Sequence, residues 1–117
     1  MMTYIIPEIP PSNNRYIGRT NYREYQAEKK RWAQLITYLC RPKPRQPYSR
    51  ATVEIAYYFL TRARRDPDNY SGKMILDGLT GAGIIKDDSF GRIELILRGD
   101  YDKQNPRTEI TVTEVVG

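Results

Sequence analysis

The pattern of apolar and polar residues predicts strands and helices that alternate along the chain. Alternating apolar positions favour strands, and apolar positions spaced three, four and seven residues apart favour a helix. The strands are predicted over residues 2–9, 51–61, 93–97 and 108–115, and the helices over residues 21–39 and 70–80. The resulting order, β-α-β-α-β-β, is typical of a small α+β (mixed α/β) domain in which a mixed sheet of about four strands packs against two helices.

The strand over residues 51–61 is predicted to be central in the sheet. Val53, Ile55 and Tyr57 alternate along one face, and Ala56 makes the other face partly apolar as well. A strand that is apolar on both faces is typical of the middle of a sheet, where both faces are covered.

Composition limits the chemistry that this chain can perform. Its 117 residues are enough for one domain with a single core, so we predict one domain over residues 1–117. The chain has no histidine and one cysteine, Cys40, which excludes catalysis based on Ser-His-Asp or Cys-His, histidine-based zinc sites and an intrachain disulfide. No apolar run approaches the roughly 20 residues of a membrane span, so we expect a cytoplasmic protein without membrane partners.

The positive charge is concentrated in the first half of the chain. Residues 1–50 carry ten Lys/Arg against three Asp/Glu, a net +7, and residues 51–117 carry nine against eleven, a net −2. The candidates for contact with a polyanion are Asn14, Arg15, Lys29, Lys30, Arg64, Arg65 and Lys73. For the lysines of the first helix, contact with a nucleic-acid backbone and a merely solvated helix face are both open interpretations.

Four carboxylates follow the predicted central strand in two pairs. If the extended backbone continues through Asp66, as Pro67 favours, Asp66 and Asp68 share one face. The pair Asp87 and Asp88 follows after one helix and a turn. Brought together, four carboxylates would suit a hard cation such as Mg²⁺, and the neighbouring arginines suit phosphate, a combination that suggests phosphodiester chemistry.

Two other interpretations of these acidic residues are an EF-hand loop and a set of helix caps and turn formers. An EF-hand loop would need an acidic or amide ligand at Tyr70, a glycine at Ser71 and a glutamate at Asp77, and Pro67 and the preceding strand also argue against it. Alternatively, the acidic residues are only caps and turn formers, with Asp68 or Asn69 capping the second helix. That interpretation suits each residue alone but does not explain their coincidence with the arginines and Lys73.

Taken together, the motifs resemble the RusA family of Holliday-junction resolvases. The resemblance is carried by Pro10-Pro11-Ser12-Asn13-Asn14, Arg65-Asp66-Pro67-Asp68-Asn69, Lys73, Leu76-Asp77-Gly78-Leu79, Gly83-Ile84-Ile85 and Asp87-Asp88. The order of these motifs matches over nearly the whole chain. One difference is that Lys73 lies five residues after Asp68, where the family pattern has its lysine four residues on, which indicates an insertion around residues 70–72.

The resemblance implies a homodimeric, Mg²⁺-dependent endonuclease that acts on four-way or other branched DNA in recombination and repair. Mn²⁺ is expected to substitute, and no small-molecule cofactor is implied. Asp66, Asp68 and Asp88 would be metal ligands with Asp87 as a helper, and Lys73 would stabilise the transition state or the leaving group. The protein would associate with the nucleoid when bound to DNA, and a phage or prophage origin is implied.

A non-catalytic nucleic-acid-binding protein is the alternative function. It would use the same basic N-terminal half, but it gives no reason to collect carboxylates beside a phosphate path.

Overall fold

The computed structural model describes residues 1–16 and 22–116, and it confirms the predicted order of elements. The strands are β1 (Met2–Ile6), β2 (Ala51–Phe59), β3 (Ile93–Tyr101) and β4 (Arg107–Glu114), and the helices are α1 (Tyr22–Leu39) and α2 (Lys73–Gly81). Short 3₁₀ turns cover Asn13–Tyr16 and Pro67–Tyr70. The α+β class and the four-stranded mixed sheet are therefore confirmed, while the predicted helix start at Asn21 lies outside the described residues.

The strand β2 occupies the middle of the sheet, whose order is β1-β4-β2-β3. It pairs in parallel with β3 over nine residue pairs, from Ala51 opposite Ile93 to Phe59 opposite Tyr101. On its other side β2 pairs antiparallel with β4, and β4 pairs antiparallel with β1. The prediction of a central strand is confirmed, and the parallel pair explains why a helix lies between β2 and β3, since parallel strands need a long crossover connection.

The core lies where the two helices cover one face of the sheet. Val53 and Ile55 of β2 are completely buried, as are Trp32 of α1 and Ile75 and Leu79 of α2. These side chains belong to one continuous apolar cluster. Cys40 is buried in the same cluster, and its burial raises the pKa of the thiol to about 12, which makes it a poor nucleophile. No helix in the described part of the chain is both long enough and apolar enough to cross a membrane.

The segment between β2 and α2, residues 60–72, departs from the prediction and is called the acidic loop below. β2 ends at Phe59, and although Asp66 keeps extended backbone angles, Asp68 lies in the 3₁₀ turn that follows Pro67. The Asn69 N–H closes this turn by donating to the Asp66 carbonyl at 3.0 Å. The prediction that Asp66 and Asp68 share one face of an extended strand was therefore wrong.

The cap of α2 was also predicted wrongly. The helix begins at Lys73 after Gly72, so neither Asp68 nor Asn69 caps it. Gly72 has a φ of 81°, in the left-handed region that favours glycine. A Cβ atom on Gly72 would lie 2.6 Å from the Ile55 Cδ1 atom in the core. The acidic loop can therefore approach the sheet closely only because this position has no side chain.

Replacing Gly72 with alanine should destabilise the protein by about 2–5 kcal/mol, since the left-handed backbone costs about 1–2 kcal/mol and overpacking about 1–3 kcal/mol. Gly83 is a matched control, because its φ is 79° and a Cβ there would meet no atom within 4 Å. Gly83→Ala should cost only the backbone part, about 1–2 kcal/mol. Urea unfolding of both variants measures the difference, and equal losses would contradict the close approach of Gly72 to Ile55.

Candidate functional site

The acidic loop is held in shape by the guanidinium group of Arg65. Its Nη1 donates to the carbonyl oxygens of Thr61 at 3.0 Å and Ala63 at 2.9 Å, and its Nη2 donates to the Thr61 hydroxyl at 3.0 Å. The same group stacks over the Phe59 ring, 4.2 Å from the ring centre. Arg65, which the sequence suggested as a DNA contact, is thus engaged mainly with its own chain.

Arg64 has the opposite environment. Its side chain is 89% exposed, and its Nε lies 3.3 Å from Asp66 Oδ1. Exposed ion pairs of this kind stabilise a protein by at most about 1 kcal/mol. Arg64 can therefore leave Asp66 at little cost and contact a phosphate.

The N-terminal turn, Asn13–Tyr16, is tied to the acidic loop by one side-chain amide. Asn13 Nδ2 donates to the Asp68 carbonyl oxygen at 3.0 Å and to the Ser71 hydroxyl at 3.1 Å. This contact brings the Pro-Pro-Ser-Asn-Asn motif beside the aspartates, although the two are 55 residues apart in sequence. Asn13 was not among the predicted site residues, because an amide in a polar turn carries no sequence signal for a distant partner.

A surface pocket lies where the N-terminal turn meets the acidic loop. It is lined by Ser12, Asn14, Arg64, Arg65, Asp66, Asn69 and Tyr70. Asn14 and Arg15 are exposed, and Asp66 is half-buried while Asp68 is exposed. The structure thus brings Asn14, Arg64, Arg65 and Asp66 of the predicted set together.

The second acidic pair is not brought into this pocket. Asp88 lies with Leu76, Ser89, Phe90 and residues 93–95 in a separate pocket at the start of β3. A third pocket places Asp66 beside residues 97–99, farther along the same strand. Asp66 and Asp88 thus line different pockets.

Asp87 is exposed next to Asp88, and its carboxylate is held in a local turn. The Ser89 side chain and the backbone N–H groups of Asp88 and Ser89 bond to it and lower its pKa below the usual range. The Asp87 carboxylate is therefore ionised at neutral pH.

The donor chemistry of the acidic loop fits a hard cation. No group of three or more His, Cys, Asp or Glu side chains within residues 1–16 and 22–116 is placed to hold a metal ion. Mg²⁺, however, is commonly held by one or two carboxylates together with substrate phosphates and water. Asp66 and Asp68 satisfy that requirement, and the assignment of all four carboxylates as metal ligands stays a prediction.

Lys73 lies at the first residue of α2 and is 61% exposed at its side chain. Its Nζ is 3.6 Å from Asp77 Oδ2, one turn later on the same helix. Lys29 of α1 lies 3.4 Å from the same oxygen, whereas Lys30 is exposed. Two of the predicted DNA contacts, Lys29 and Lys73, thus share one carboxylate, which links α1 to α2.

An aromatic group beside Asp66 was missed by the sequence analysis as part of the site. The ring centres of Tyr57 and Tyr70 are 5.7 Å apart, and those of Phe59 and Tyr70 are 5.1 Å apart. Alternation along β2 correctly predicted that Tyr57 lies on the same face as the buried Val53 and Ile55, and Phe59 continues this face. The signal that could have placed them at the site is their position at the last residues of the strand, directly before the acidic loop.

Carboxylates beside exposed cations at the end of a central strand are typical of proteins that bind a divalent cation and phosphate groups. The family model described as endodeoxyribonuclease RusA matches residues 8–113, and the chain belongs to this family. The predicted resemblance is thereby confirmed, and membership implies the nuclease activity of a Holliday-junction resolvase, acting on branched DNA. A comparison with curated proteins found no significant match.

The contrast between Arg64 and Arg65 can be tested by substitution. Arg65→Ala should lower the free energy of unfolding by about 1–2 kcal/mol, because hydrogen bonds worth about 0.5–1.5 kcal/mol each and a cation-π contact are lost, with partial replacement by water. Arg64→Ala should change it by less than about 1 kcal/mol.

Arg65→Lys tests whether Arg65 acts through its charge or through its hydrogen-bond geometry. Lysine keeps the charge but lacks the planar guanidinium group. If Arg65 holds the loop, Arg65→Lys will unfold at nearly the same urea concentration as Arg65→Ala. Wild-type stability in Arg65→Lys would contradict the loop role.

Proposed function

We propose that the protein is a Mg²⁺-dependent endonuclease that resolves four-way junctions or related branched DNA in recombination and repair. The observation that carries this proposal is the Asn13 contact, which gathers the N-terminal turn and the acidic loop around Asp66. Asp66, the exposed Arg64 and Asn14 of the N-terminal turn then line one pocket. Membership of the RusA family supports the same activity.

Asp66 and Asp68 are the residues that we assign to hold the cation. When bound, Mg²⁺ would lower the pKa of a water molecule and offset the charge that develops on the departing oxygen. The chain has no histidine to take up a proton, so the carboxylates that face the cation are its available bases. On the family resemblance, Asp88 is a further ligand with Asp87 beside it.

Arg64 and the N-terminal turn would position the scissile phosphate. Arg64 is exposed and only weakly paired, so it can exchange Asp66 for a phosphate oxygen when Asp66 binds the cation. The charge excess of residues 1–50, +7, would attract the DNA arms. Two copies of the chain acting as a homodimer would cut two equivalent strands of a junction.

A non-catalytic DNA-binding protein remains the second candidate. It would need the same basic residues, and it would bind DNA more tightly when Asp66 is neutralised, without any cleavage by the wild type. The two candidates are therefore separated by cleavage rather than by binding.

We predict that wild-type protein cuts a synthetic four-way junction with Mg²⁺ or Mn²⁺ and not with a chelator. Asp66→Asn and Asp88→Asn should abolish cutting, while junction binding is retained or strengthened because a negative charge near the DNA has been removed. Glu114→Gln is a matched control, since it neutralises an exposed carboxylate at the opposite end of β2. Full activity in Asp66→Asn would refute the site assignment.

Lys73→Met tests whether the family role of the lysine applies here. If Lys73 stabilises the transition state, the cleavage rate should fall by about 100-fold or more with little change in melting temperature. The Asp77 carboxylate would keep Lys29 as a partner.

Asp77→Asn provides the comparison for Lys73→Met. A lysine that acts only through its ion pair would make the two variants behave alike, with near-normal cleavage and a small loss of stability. A lysine that acts on the DNA leaves Asp77→Asn active while Lys73→Met is slow.

A further inference from the structure

A small pocket with aromatic walls lies on the side of Asp66 that faces the sheet, and is called the aromatic pocket below. Its volume is about 240 Å³. The lining combines the rings of Tyr57, Phe59 and Tyr70 with Leu97 and with the polar side chains of Arg65, Asp66 and Arg98. A pocket of this size is smaller than the range of about 300–1,000 Å³ that is usual for drug-sized ligands, and it suits a single ring system.

The Tyr57 hydroxyl lies beneath the pocket surface, closed to solvent, and has no hydrogen-bond partner in the described part of the chain. Tyr57 as a whole is 2% exposed. Burial, with the neighbouring Tyr70, raises the pKa of this phenol, so it stays neutral. Leaving a buried hydroxyl unpaired costs stability, and a phenylalanine would fill the same space without that cost.

The remaining polar groups of the aromatic pocket are mostly donors. The Arg98 side chain is 63% exposed, and it reaches only 4.0 Å from Glu54 Oε1. Within the described part of the chain, Arg65 donates through three N–H groups, which leaves its Nε–H and one Nη2 hydrogen for another acceptor. A ligand here would be a flat ring that stacks on aromatic side chains and offers acceptors to N–H groups.

We propose that the aromatic pocket binds one unpaired base of the DNA substrate, from the nucleotide next to the phosphate that Arg64 holds beside Asp66. This inference rests on the proposed function, because Asp66 lines both the aromatic pocket and the pocket in which Arg64 would hold the phosphate. The donors favour a base that presents carbonyl oxygen or ring nitrogen acceptors inward. Any base has a stacking face, and stacking on aromatic side chains is tolerant of sequence.

The aromatic pocket also gives a physical reason for preferring branched DNA. A base inside a duplex must be unpaired and unstacked before it can enter, whereas this requirement is smallest for a base that is already unpaired. Bases at a branch point have lost part of their stacking, so they enter at lower cost. The pocket would therefore select both the structure of the DNA and the position of the cut.

The test is a set of four-way junctions in which single nucleotides around the branch point are replaced, one at a time, by abasic nucleotides. Binding to wild-type protein is measured without divalent cations. Removal of the base that enters the pocket should weaken binding by about 5- to 150-fold, while removal at other positions should not. Tyr70→Ala, which deletes one wall, should abolish this dependence on position.

Tyr57→Phe addresses the hydroxyl alone. Its melting temperature should be equal to or higher than that of the wild type, because only an unpaired buried hydroxyl is removed. Because the hydroxyl is closed to solvent and beyond the reach of a ligand in the pocket, the preference among junctions that differ in the pocket base should be unchanged. Tyr38→Phe, at a tyrosine of α1 that is 72% exposed, should keep the wild-type preference.

Equal wild-type affinity at every abasic position would overturn the aromatic pocket as a base site, even if the junction is cleaved. A lost base preference in Tyr57→Phe would overturn the assignment of base recognition to the arginine N–H groups. A position-dependent loss of affinity in a protein that never cleaves would support the base site and contradict the proposed nuclease function instead.

Discussion

The parallel pairing of β2 with β3 is the constraint on which the rest of the structure depends. Because both strands run in the same direction over nine residue pairs, the chain must leave one end of β2 and return to the other end before β3 can begin. The acidic loop follows the end of β2, and α2 leads the chain back across the core towards the start of β3. Asp66 therefore lies before α2, and Asp88 lies after it, shortly before β3 begins.

The site forms where the acidic loop meets the N-terminal turn. Asn13 makes the connection, so the N-terminal turn and the carboxylates of the acidic loop become neighbours. Within the loop, two adjacent arginines have different roles. Arg65 donates hydrogen bonds to backbone carbonyls and stacks on Phe59, whereas Arg64 is exposed beside Asp66. Arg65 thus supports the loop, while the neighbouring Arg64 can exchange Asp66 for another anion.

Local pattern was sufficient to predict the order of elements, the α+β class and the central place of β2. Buried positions must be apolar, so their spacing in the sequence shows the type of element. Local pattern was not sufficient for the pairing of β3 with β2, which depends on long-range packing. The 3₁₀ turn at Asp68 and the start of α2 at Lys73 were missed because the close approach of Gly72 to Ile55 decides where the helix begins. The different surroundings of Arg64 and Arg65 are likewise set by the fold, since the two residues are alike in sequence.

The central claim, that the acidic loop holds the divalent cation, is tested most directly by following backbone amide signals in an NMR titration with Mn²⁺. The paramagnetic ion broadens the signals of nearby residues. Our account predicts that the amides of Asp66, Asp68 and Asn69 broaden first, and that Asp66→Asn removes this effect. Broadening that begins elsewhere in the chain, with the signals of these three residues unchanged, would contradict it.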